Sequence, residues 1–529
     1  MEDNNNGLLA SWLALGVVII GTFMSILDSS IVNIALPKMM AVFGVSLDDS
    51  KWILTSYTLA LGAIIPLTGY LQEIFGPKRI YMFALAMFTL GSLLCGFAWS
   101  NTSMIGFRVI QAIGGGMIMP VGMSIIYQVF PREKIGVALG FWGIAAMAAP
   151  AIGPTLGGYI IEKMDWRLIF NVNVPIGIVG VILAAILLKG SEKKPFKSFD
   201  IIGFLSSTVG IVSILYVLGE GSNIDWTKIE NPMLMTLGCL SLVLFIVNEL
   251  THPNPLLDLR IFKLFDFSIS QIITSVLTLA MMGGVYVLPL FLQNVRGYTA
   301  MQAGLIMLPG AVVMGIMMPI SGSLFDKVGA KAIVLPGLII LAVSSYELAT
   351  VINMNSSKET IILINCIRCM GIGLSMMPIS TMGMNVVPPN LVGKASALSN
   401  TIRQIAGSLS ITIMSTIIQG KTNYNYLKLA EQINVYNSTS NNTISILTKS
   451  YIHAGLSQAT AKGAALSRLV QMVQGQAALD AMGYSVAVTA AIVVVTIVLT
   501  LLMSNKKKTE KQHKEGEKNN NEGSVVLIE

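Results

Sequence analysis

The chain has 529 residues, of which 53% are hydrophobic and only 12% are charged. Its mean hydropathy of +0.71 lies far from that of soluble domains, in which about 25% of residues are charged. The composition excludes an ordinary soluble fold and predicts an all-α integral membrane protein.

Fourteen apolar runs are long enough to span a membrane, because a bilayer core about 30 Å thick needs roughly 20 apolar residues per helix. The first run contains Asp28 and has no Lys or Arg before it, unlike a cleaved signal peptide, so we expect it to be retained. The predicted spans, numbered 1 to 14 in chain order, are 11–36, 51–70, 80–99, 103–128, 136–162, 169–188, 201–219, 232–250, 267–293, 303–324, 333–351, 360–385, 395–420 and 484–504.

Lysine and arginine are distributed unequally between the two sides. With both termini inside, the inner connections hold thirteen of these residues and the short outer connections hold seven. The positive-inside rule therefore predicts that both termini are cytoplasmic. The net charge of +7 is then mostly topological, so it does not indicate a nucleic-acid partner. We expect a multi-pass protein of a bacterial plasma membrane, surrounded by lipids and monomeric.

A short charged turn occurs twice, as "GYLQEIFGPKRIYM" at 69–82 and "GSLFDKVGAKAIVL" at 322–335. Its residues are Gly69, Glu73, Gly76, Lys78 and Arg79 in the first copy, and Gly322, Asp326, Lys327, Gly329 and Lys331 in the second. "RVIQAIGGGMIMP" and "RCMGIGLSMMP" form a similar pair in spans 4 and 12, and "GVALG" and "GKASA" open spans 5 and 13. Spans 1–6 therefore repeat as spans 9–14 in the same orientation, with spans 7–8 inserted. Such a repeat implies two six-helix bundles and alternating access between them.

The repeat predicts four parts of the chain. They are an N-terminal six-helix bundle (1–190), a linker with two inserted helices (191–260), a C-terminal six-helix bundle (261–505) and a disordered cytoplasmic tail (506–529). The last bundle includes a long outer loop, 421–483. We expect "NVYNSTSNNTIS" in this loop to be mobile, and "LSRLVQMVQGQAALDAMGY" to be a helix that lies across the outer mouth or on the membrane surface. A partner protein at this loop remains an open alternative.

The charged turn has two interpretations. Gly69 and Gly322 let helices pack closely on the inner side, Gly76 and Gly329 supply turn geometry, and the acid can pair with a nearby Lys or Arg. The turn would then form an inner latch between the bundles. In the alternative, the basic residues only anchor the loop inside and the glycines only turn it.

Several motifs together resemble the major facilitator superfamily and, within it, the fourteen-span drug:proton antiporters of the EmrB/QacA type. "LDSSIVNIALP" (27–37), "GYLQEIFGPKR" and "RVIQAIGG" look like its motifs in span 1, loop 2–3 and span 4. "PAIGPTLGG" (150–158) resembles its span 5 antiporter motif, and "DWRLIFNVNVPIG" (165–177) resembles the start of its span 6. The first turn departs from the family with Glu73 for the usual Asp and with Pro77 for a common basic residue, which predicts a weaker charge network than at Asp326.

The resemblance implies a proton-coupled exporter of lipophilic, often cationic compounds, driven by the transmembrane proton gradient without a cofactor or metal. The antiporter motif contributes Pro150, Gly153, Pro154, Gly157 and Gly158. Its small residues and prolines indicate a pliable seam where span 5 meets the other bundle, with ordinary small-residue packing as the alternative.

Ionisable residues inside spans are functional candidates, because a charge at the bilayer centre costs about 2.5–3.5 kcal/mol. Asp28 and Arg108 lie roughly 14 and 8 Å from the outer ends of their spans, at 1.5 Å per residue. The resemblance places spans 1 and 4 on the central cavity, so the two side chains are expected to pair. Movement of the arginine, or arrival of a cationic substrate, would then switch Asp28 between protonated and charged forms. A buried pair that only fixes helix packing is the alternative.

Other charges are less clear from the sequence. Arg368 matches Arg108 in the repeat, but span 9 has no acid that matches Asp28. Arg403 can bind an anionic group or satisfy backbone carbonyls, and both interpretations stay open. Glu249 and Glu347 are expected to be solvated at the membrane interface.

The substrate cavity is predicted to be largely apolar, which suits amphipathic lipophilic compounds, and cations where Asp28 is accessible. Its polar candidates are Asn33, Tyr57, Gln111, Trp142, Asn400, Arg403 and Gln404. An ATP-driven pump would need a phosphate-binding P-loop, which does not occur in the sequence. An enzyme is disfavoured by three scattered histidines, and a channel by the lack of a ring of like charges. A proton-coupled importer, or a transporter of one metabolite or anionic compound, is the nearest alternative.

Overall fold

The computed structural model describes residues 2–131, 134–190, 198–220, 224–433 and 437–501. The predicted tail 506–529 and the first part of the predicted linker, 191–197, lie outside these residues. The α-helices of the described part are α1 Glu2–Phe43, α2 Leu47–Ile64, α3 Leu67–Phe75, α4 Pro77–Gly96, α5 Asn101–Val129, α6 Ile135–Lys163, α7 Leu168–Asn171, α8 Asn173–Leu187, α9 Ile201–Gly219, α10 Glu230–Thr251, α11 Phe265–Leu290, α12 Ala300–Val328, α13 Ala330–Val351, α14 Lys358–Asn385, α15 Val392–Glu431, α16 Ser438–His453 and α17 Gln458–Leu501. Short 3-10 turns occur at Leu259–Lys263 and Pro389–Leu391, and a π-helical turn follows α11 at Phe291–Val295.

The fourteen predicted spans are confirmed. In the described residues, thirteen helices are long and apolar enough to cross a membrane, and α2 with α3 forms a fourteenth span that is bent by 53°. The bend lies at Pro66, whose ring cannot continue the hydrogen bonding of the preceding helix. We call the side on which α1 begins the inner side and the opposite side the outer side.

Two bundles and an inserted helix pair make up the fold. In the first half, α1 packs on α5, α6 and α8, and α4 packs on α5. In the second half, α14 packs on α11, α12 and α13, and α17 packs on α13 and α15. The inserted helices α9 and α10 pack on each other, and α9 also contacts α2 and α15. The all-α architecture with a repeated six-helix unit is therefore as the sequence predicts.

The described part of the long outer loop 421–483 is largely helical, as predicted for its second part. Helix α16 covers most of the polar stretch expected to be mobile, and it begins after Asn437, whose side chain accepts a hydrogen bond from the backbone N–H of Ser440. Residues 434–436 of that stretch lie outside the described part.

The predicted surface helix is the first half of α17, continuous with span 14. No proline interrupts residues 458–501, so the helix extends for 44 residues. At 1.5 Å per residue this is roughly 66 Å, about twice the thickness of a bilayer core. Helix α16 packs on α17, and α15 is also long, with 40 residues. The three helices therefore extend the second bundle beyond its outer side.

Candidate functional site

A buried ion pair joins α1 and α5 near the middle of the first bundle. Arg108 donates from Nη1 to Oδ2 of Asp28 at 2.5 Å, and the two side chains are 1% and 0% exposed. The Asp28–Arg108 pair is therefore present, as we predicted from the small number of charged residues within the spans. A charge pair without water is stable only when further hydrogen bonds satisfy its remaining donors and acceptors.

Neighbouring helices supply these hydrogen bonds. Oδ1 of Asp28 accepts from Nε2 of Gln111 at 2.9 Å and from Nδ2 of Asn173 at 3.2 Å. Gln111 also accepts from Arg108 at 2.7 Å and donates to the Ser92 hydroxyl at 2.7 Å. The pair thus stands in a network drawn from α1, α4, α5 and α8.

Helix α2 completes the surroundings of Arg108. Its Nε donates to the carbonyl oxygen of Ile53 at 3.3 Å, and its guanidinium lies 3.9 Å from the centroid of the Tyr57 ring. A guanidinium above an aromatic face is attracted by the ring quadrupole. Both oxygens of the Asp28 carboxylate and one nitrogen of the Arg108 guanidinium are thus engaged in hydrogen bonds that join α1, α5 and α8.

A cavity of about 190 Å³ lies beside this network, between the two bundles. Residues from α1, α2, α5 and α15 line it, and they include Tyr57, Asn400, Arg403 and Gln404. Tyr57 therefore stands between the cavity on one side and Arg108 on the other. A molecule in the cavity would touch the ring that packs on the ion pair.

Three predicted cavity residues lie elsewhere. Gln111 is fully buried in the ion-pair network, and the Trp142 ring N–H donates to the Thr22 hydroxyl at 2.9 Å. Asn33 is exposed and donates to the carbonyl oxygen of Ser29 at 3.0 Å. The sequence identified these side chains as polar groups in spans, but the donor groups of Gln111 and Trp142 are engaged in joining helices.

The first charged turn contacts the second bundle on the inner side. Glu73 lies 3.3 Å from Nζ of Lys394 at the start of α15, and both side chains are largely buried. Lys394 also donates to the carbonyl oxygen of Pro255 at 2.9 Å, in the loop that follows the inserted helix α10. The turn, the second bundle and the insert therefore meet at one ammonium group.

Glu249 holds that loop in place. It is fully buried and accepts from the backbone N–H groups of Leu256 at 3.2 Å and Leu257 at 3.1 Å. The expectation that Glu249 is solvated at the interface is wrong, because its carboxylate satisfies a buried turn. Glu347 is exposed, as expected.

The glycines of both turns are sites of close approach between bundles. A Cβ added at Gly69 would lie 3.1 Å from the Cα of Lys394, and one added at Gly322 would lie 2.1 Å from the carbonyl oxygen of Gly136. Each turn thus meets the first residues of the equivalent helix in the other bundle, α15 or α6. Ser396 adds a hydrogen bond of 2.8 Å to the carbonyl oxygen of Pro120. The two bundles are therefore in direct contact on the inner side, as the latch interpretation requires.

The remaining turn residues follow the repeat as well. Gly76 and Gly329 have φ angles of 80° and 86°, which favour glycine. Lys78 donates to the carbonyl oxygen of Ala185 at 2.6 Å, and Lys331 donates to that of Leu501 at 2.8 Å. Each lysine therefore binds the C-terminal end of the last span of its own bundle, where a cation is favoured.

Three other motif residues contribute less to this interface. Arg79 and Lys327 are exposed. The side chain of Asp326 lies outside the described part, so the comparison of its charge network with that of Glu73 stays a prediction.

The antiporter motif packs within its own bundle, which corrects the predicted seam. A Cβ at Gly153 would lie 2.6 Å from Cβ of Ser30, and one at Gly157 would lie 3.2 Å from the Ile31 side chain, both on α1. The seam with the other bundle is formed earlier in α6, where Gly140 and Gly143 face Pro319 and Met318 of α12.

Other motif residues have different surroundings. Pro150 is partly buried, a Cβ on Gly158 would meet no atom within 4 Å, and the side chain of Pro154 is outside the described part. Arg368 is buried and donates to the backbone carbonyl of Ala280 on α11. A peptide oxygen is therefore the acceptor for Arg368, because span 9 has no acid that matches Asp28.

The sequence profile described as Major Facilitator Superfamily matches residues 18–411, most of the chain. The chain belongs to the major facilitator superfamily. Other members include an uncharacterized MFS-type transporter, YhcA, of Bacillus subtilis, 40% identical over 79% of this chain and 78% of that protein. The multidrug export protein EmrB of Escherichia coli is 32% identical over 79% of this chain and 82% of its own length.

A solved superfamily structure has the same fold. The proton:xylose symporter XylE matches with a TM-score of 0.56 at 13% identity, over 93% of this chain and 95% of that protein. The superfamily consists of transporters, and among the described residues no group of His, Cys, Asp and Glu is arranged to hold a metal ion.

Sequence reasoning missed several residues of the site. Lys394 is one of the basic residues of the predicted inner loops, but the sequence does not indicate its contact with Glu73, and it does not distinguish Ser92 from other serines in the spans. Asn173 lies within "DWRLIFNVNVPIG", so the motif used to recognise the family also contains a hydrogen-bond donor to Asp28.

Proposed function

We propose that this member of the superfamily exports amphipathic lipophilic compounds from the cytoplasm of a bacterial cell in exchange for protons. The observation that carries the proposal is the Asp28–Arg108 pair beside the cavity, because an embedded acid with a defined partner is a functional candidate by default. The resemblance to a multidrug export protein supports the direction of transport.

The arrangement suggests how proton and substrate exchange. Protonation of Asp28 would remove the negative charge that Arg108 binds, and Arg108 would then shift against the Tyr57 ring that lines the cavity. Substrate in the cavity would contact the Tyr57 ring from the side opposite to Arg108. The two ligands would thus favour different positions of one side chain, which is the requirement for coupling.

The test uses purified protein in liposomes with an acidic interior, which reproduces the proton gradient for export into the lumen. Two probes with the same fluorophore, dansylglycine and dansylcadaverine, carry opposite charges at neutral pH. We expect gradient-driven accumulation of at least one probe by the native protein. Asp28→Asn should abolish the gradient-driven part, because residue 28 no longer changes charge.

The matched control is Glu162→Gln, which neutralises an exposed acid at the outer end of α6, in a surface pair of little energetic consequence. It should transport as the native protein does. Full gradient-driven transport by Asp28→Asn would refute the coupling role. Accumulation only under an inverted gradient would favour the importer.

A further inference from the structure

We infer that the cavity recognises the anionic group of its substrates through Arg403, so that the preferred substrates are amphipathic monoanions with a carboxylate or sulfonate head. The inference rests on the proposed export function and names its substrate class. It differs from the cationic preference that the family resemblance implies.

Arg403 is the one charged residue among the described residues that line the cavity. It extends from α15, with the amides of Asn400 and Gln404 nearby on the same helix. No carboxylate of the described part lies within 4 Å of its guanidinium, and its Nε is buried without a hydrogen-bond partner. The cavity therefore contains an unneutralised positive charge.

The acid expected to attract cations is not available. Asp28 is fully buried, and Arg108, Gln111 and Asn173 occupy both of its oxygens. The Tyr57 ring also separates Arg108 from the cavity. A cationic substrate would therefore meet the charge of Arg403 without a compensating anion, which is repulsive.

An unpaired cation at this depth is costly, and its cost falls when a ligand supplies the counter-charge. The planar guanidinium suits carboxylate and sulfonate groups because it can donate two parallel hydrogen bonds. The rest of the lining includes Leu61, Ile65 and Met119, which suit an apolar body. The cavity thus combines one anion-binding group with an apolar wall.

The location of Arg403 also gives anion binding a role in the cycle. It lies nine residues beyond Lys394 on α15, or roughly 14 Å further from the inner side. An anion on Arg403 would lie against α1, α2 and α5 of the first bundle, which form the opposite wall. Substrate would therefore link the two bundles just above the closed inner side.

The native protein gives the first readout. Gradient-driven accumulation should be at least tenfold faster for dansylglycine than for dansylcadaverine. An inside-positive potential in the liposomes, set with potassium and valinomycin, favours both the exit of protons and the entry of an anion, and it opposes the entry of a cation. It should therefore hasten the accumulation of dansylglycine more than that of dansylcadaverine. Faster transport of dansylcadaverine would overturn the inference while leaving proton-driven export standing. If the gradient drives neither probe, the proposed function itself fails.

Variants then test the residue. Arg403→Gln should raise the KM for dansylglycine at least tenfold, and Arg403→Lys should lie between it and the native protein because the charge remains. Lys428→Gln, which removes an exposed charge from the outer end of the same helix, is the matched control and should match the native protein. An unchanged KM in folded Arg403→Gln, judged by its elution as a single species, would overturn the inference. So would equal losses in Arg403→Lys and Arg403→Gln, which would indicate a packing role.

Discussion

At the scale of single residues, the main feature is the number of donors that converge on Asp28. One oxygen accepts from Arg108, and the other accepts from Gln111 and Asn173. The three donors belong to two helices other than α1, which carries Asp28. Under the proposed exchange of protons for substrate, protonation of Asp28 would therefore weaken contacts of α1 with both α5 and α8.

The first residue-scale prediction separates structure from coupling. Arg108→Gln leaves a buried carboxylate without its counter-charge and should lower stability by about 3 kcal/mol. The double variant Asp28→Asn/Arg108→Gln removes both charges, so thermal unfolding in detergent should return close to native. Gradient-driven transport should stay absent in both. A double variant that transports normally would show that the pair only fixes packing.

Much of this site could be predicted from residue types. Charges are so rare in the spans that Asp28 and Arg108 were obvious partners once their depths agreed. Ser92 and Asn173 were not predictable, because serine and asparagine are common in spans and only the helix packing shows which of them face a carboxylate. The sequence could not predict whether Arg403 has a carboxylate partner, because this depends on which side chains the fold brings close to its guanidinium.

At the scale of elements, the bend in span 2 matters most. Helix α2 borders the cavity through Tyr57, whereas α3 packs against α15 on the inner side. One predicted span thus contributes separately to the cavity and to the contact between the bundles on the inner side. The proline at the bend allows the two segments to point in different directions.

The second prediction concerns the contacts of Lys394. In a background without native cysteines, Ser396→Cys is buried in the closed inner side and should react slowly with a membrane-impermeant maleimide applied from the inner side. Glu73→Gln should speed labelling because one partner of Lys394 is weakened. Lys394→Met should speed it further, because the Pro255 contact is lost as well.

Lys78→Gln is the control for this series, since Lys78 bonds within its own bundle. It should leave the labelling rate unchanged. Equal labelling in all variants would contradict the latch interpretation and favour the simple anchoring role of the turn.

The sequence predicted the side of the membrane on which the two turns lie, but not the partners of their side chains. The repeat of glycine, acid and lysine placed both turns on the inner side. The partner of Glu73 comes from a helix more than 300 residues later in the chain. The loop after α10 could not be predicted to reach Lys394, because an insertion leaves no periodic signal for its position in the fold.

At the scale of the whole molecule, the helices α15, α16 and α17 give the protein an asymmetric shape. The second bundle extends well beyond the membrane thickness on its outer side through these long helices. The sequence suggested a loop there because polar and small residues dilute its apolar pattern. Helix length was not readable, since no proline interrupts these helices at the membrane boundary and charged residues such as Lys421 and Asp480 are compatible with a continuing helix.

The whole-molecule prediction concerns orientation. A cysteine in place of exposed Leu466, in the outer part of α17, should be labelled by an impermeant maleimide in intact cells. A cysteine in place of exposed Lys189, after α8, should be labelled only in inverted vesicles. The reverse pattern would invert the topology that the basic residues predict.

The hydrogen bond between Lys394 and Pro255 bears on how the transport rate of such a protein can evolve. The inserted helices contact the inner side through a short loop, which contributes no residue to the cavity. Under the proposed function, substitutions in this loop would change how long the inner side stays closed without changing the residues that line the cavity. Natural selection for faster or slower transport would then act on the loop after α10, independently of selection for a new substrate at the cavity.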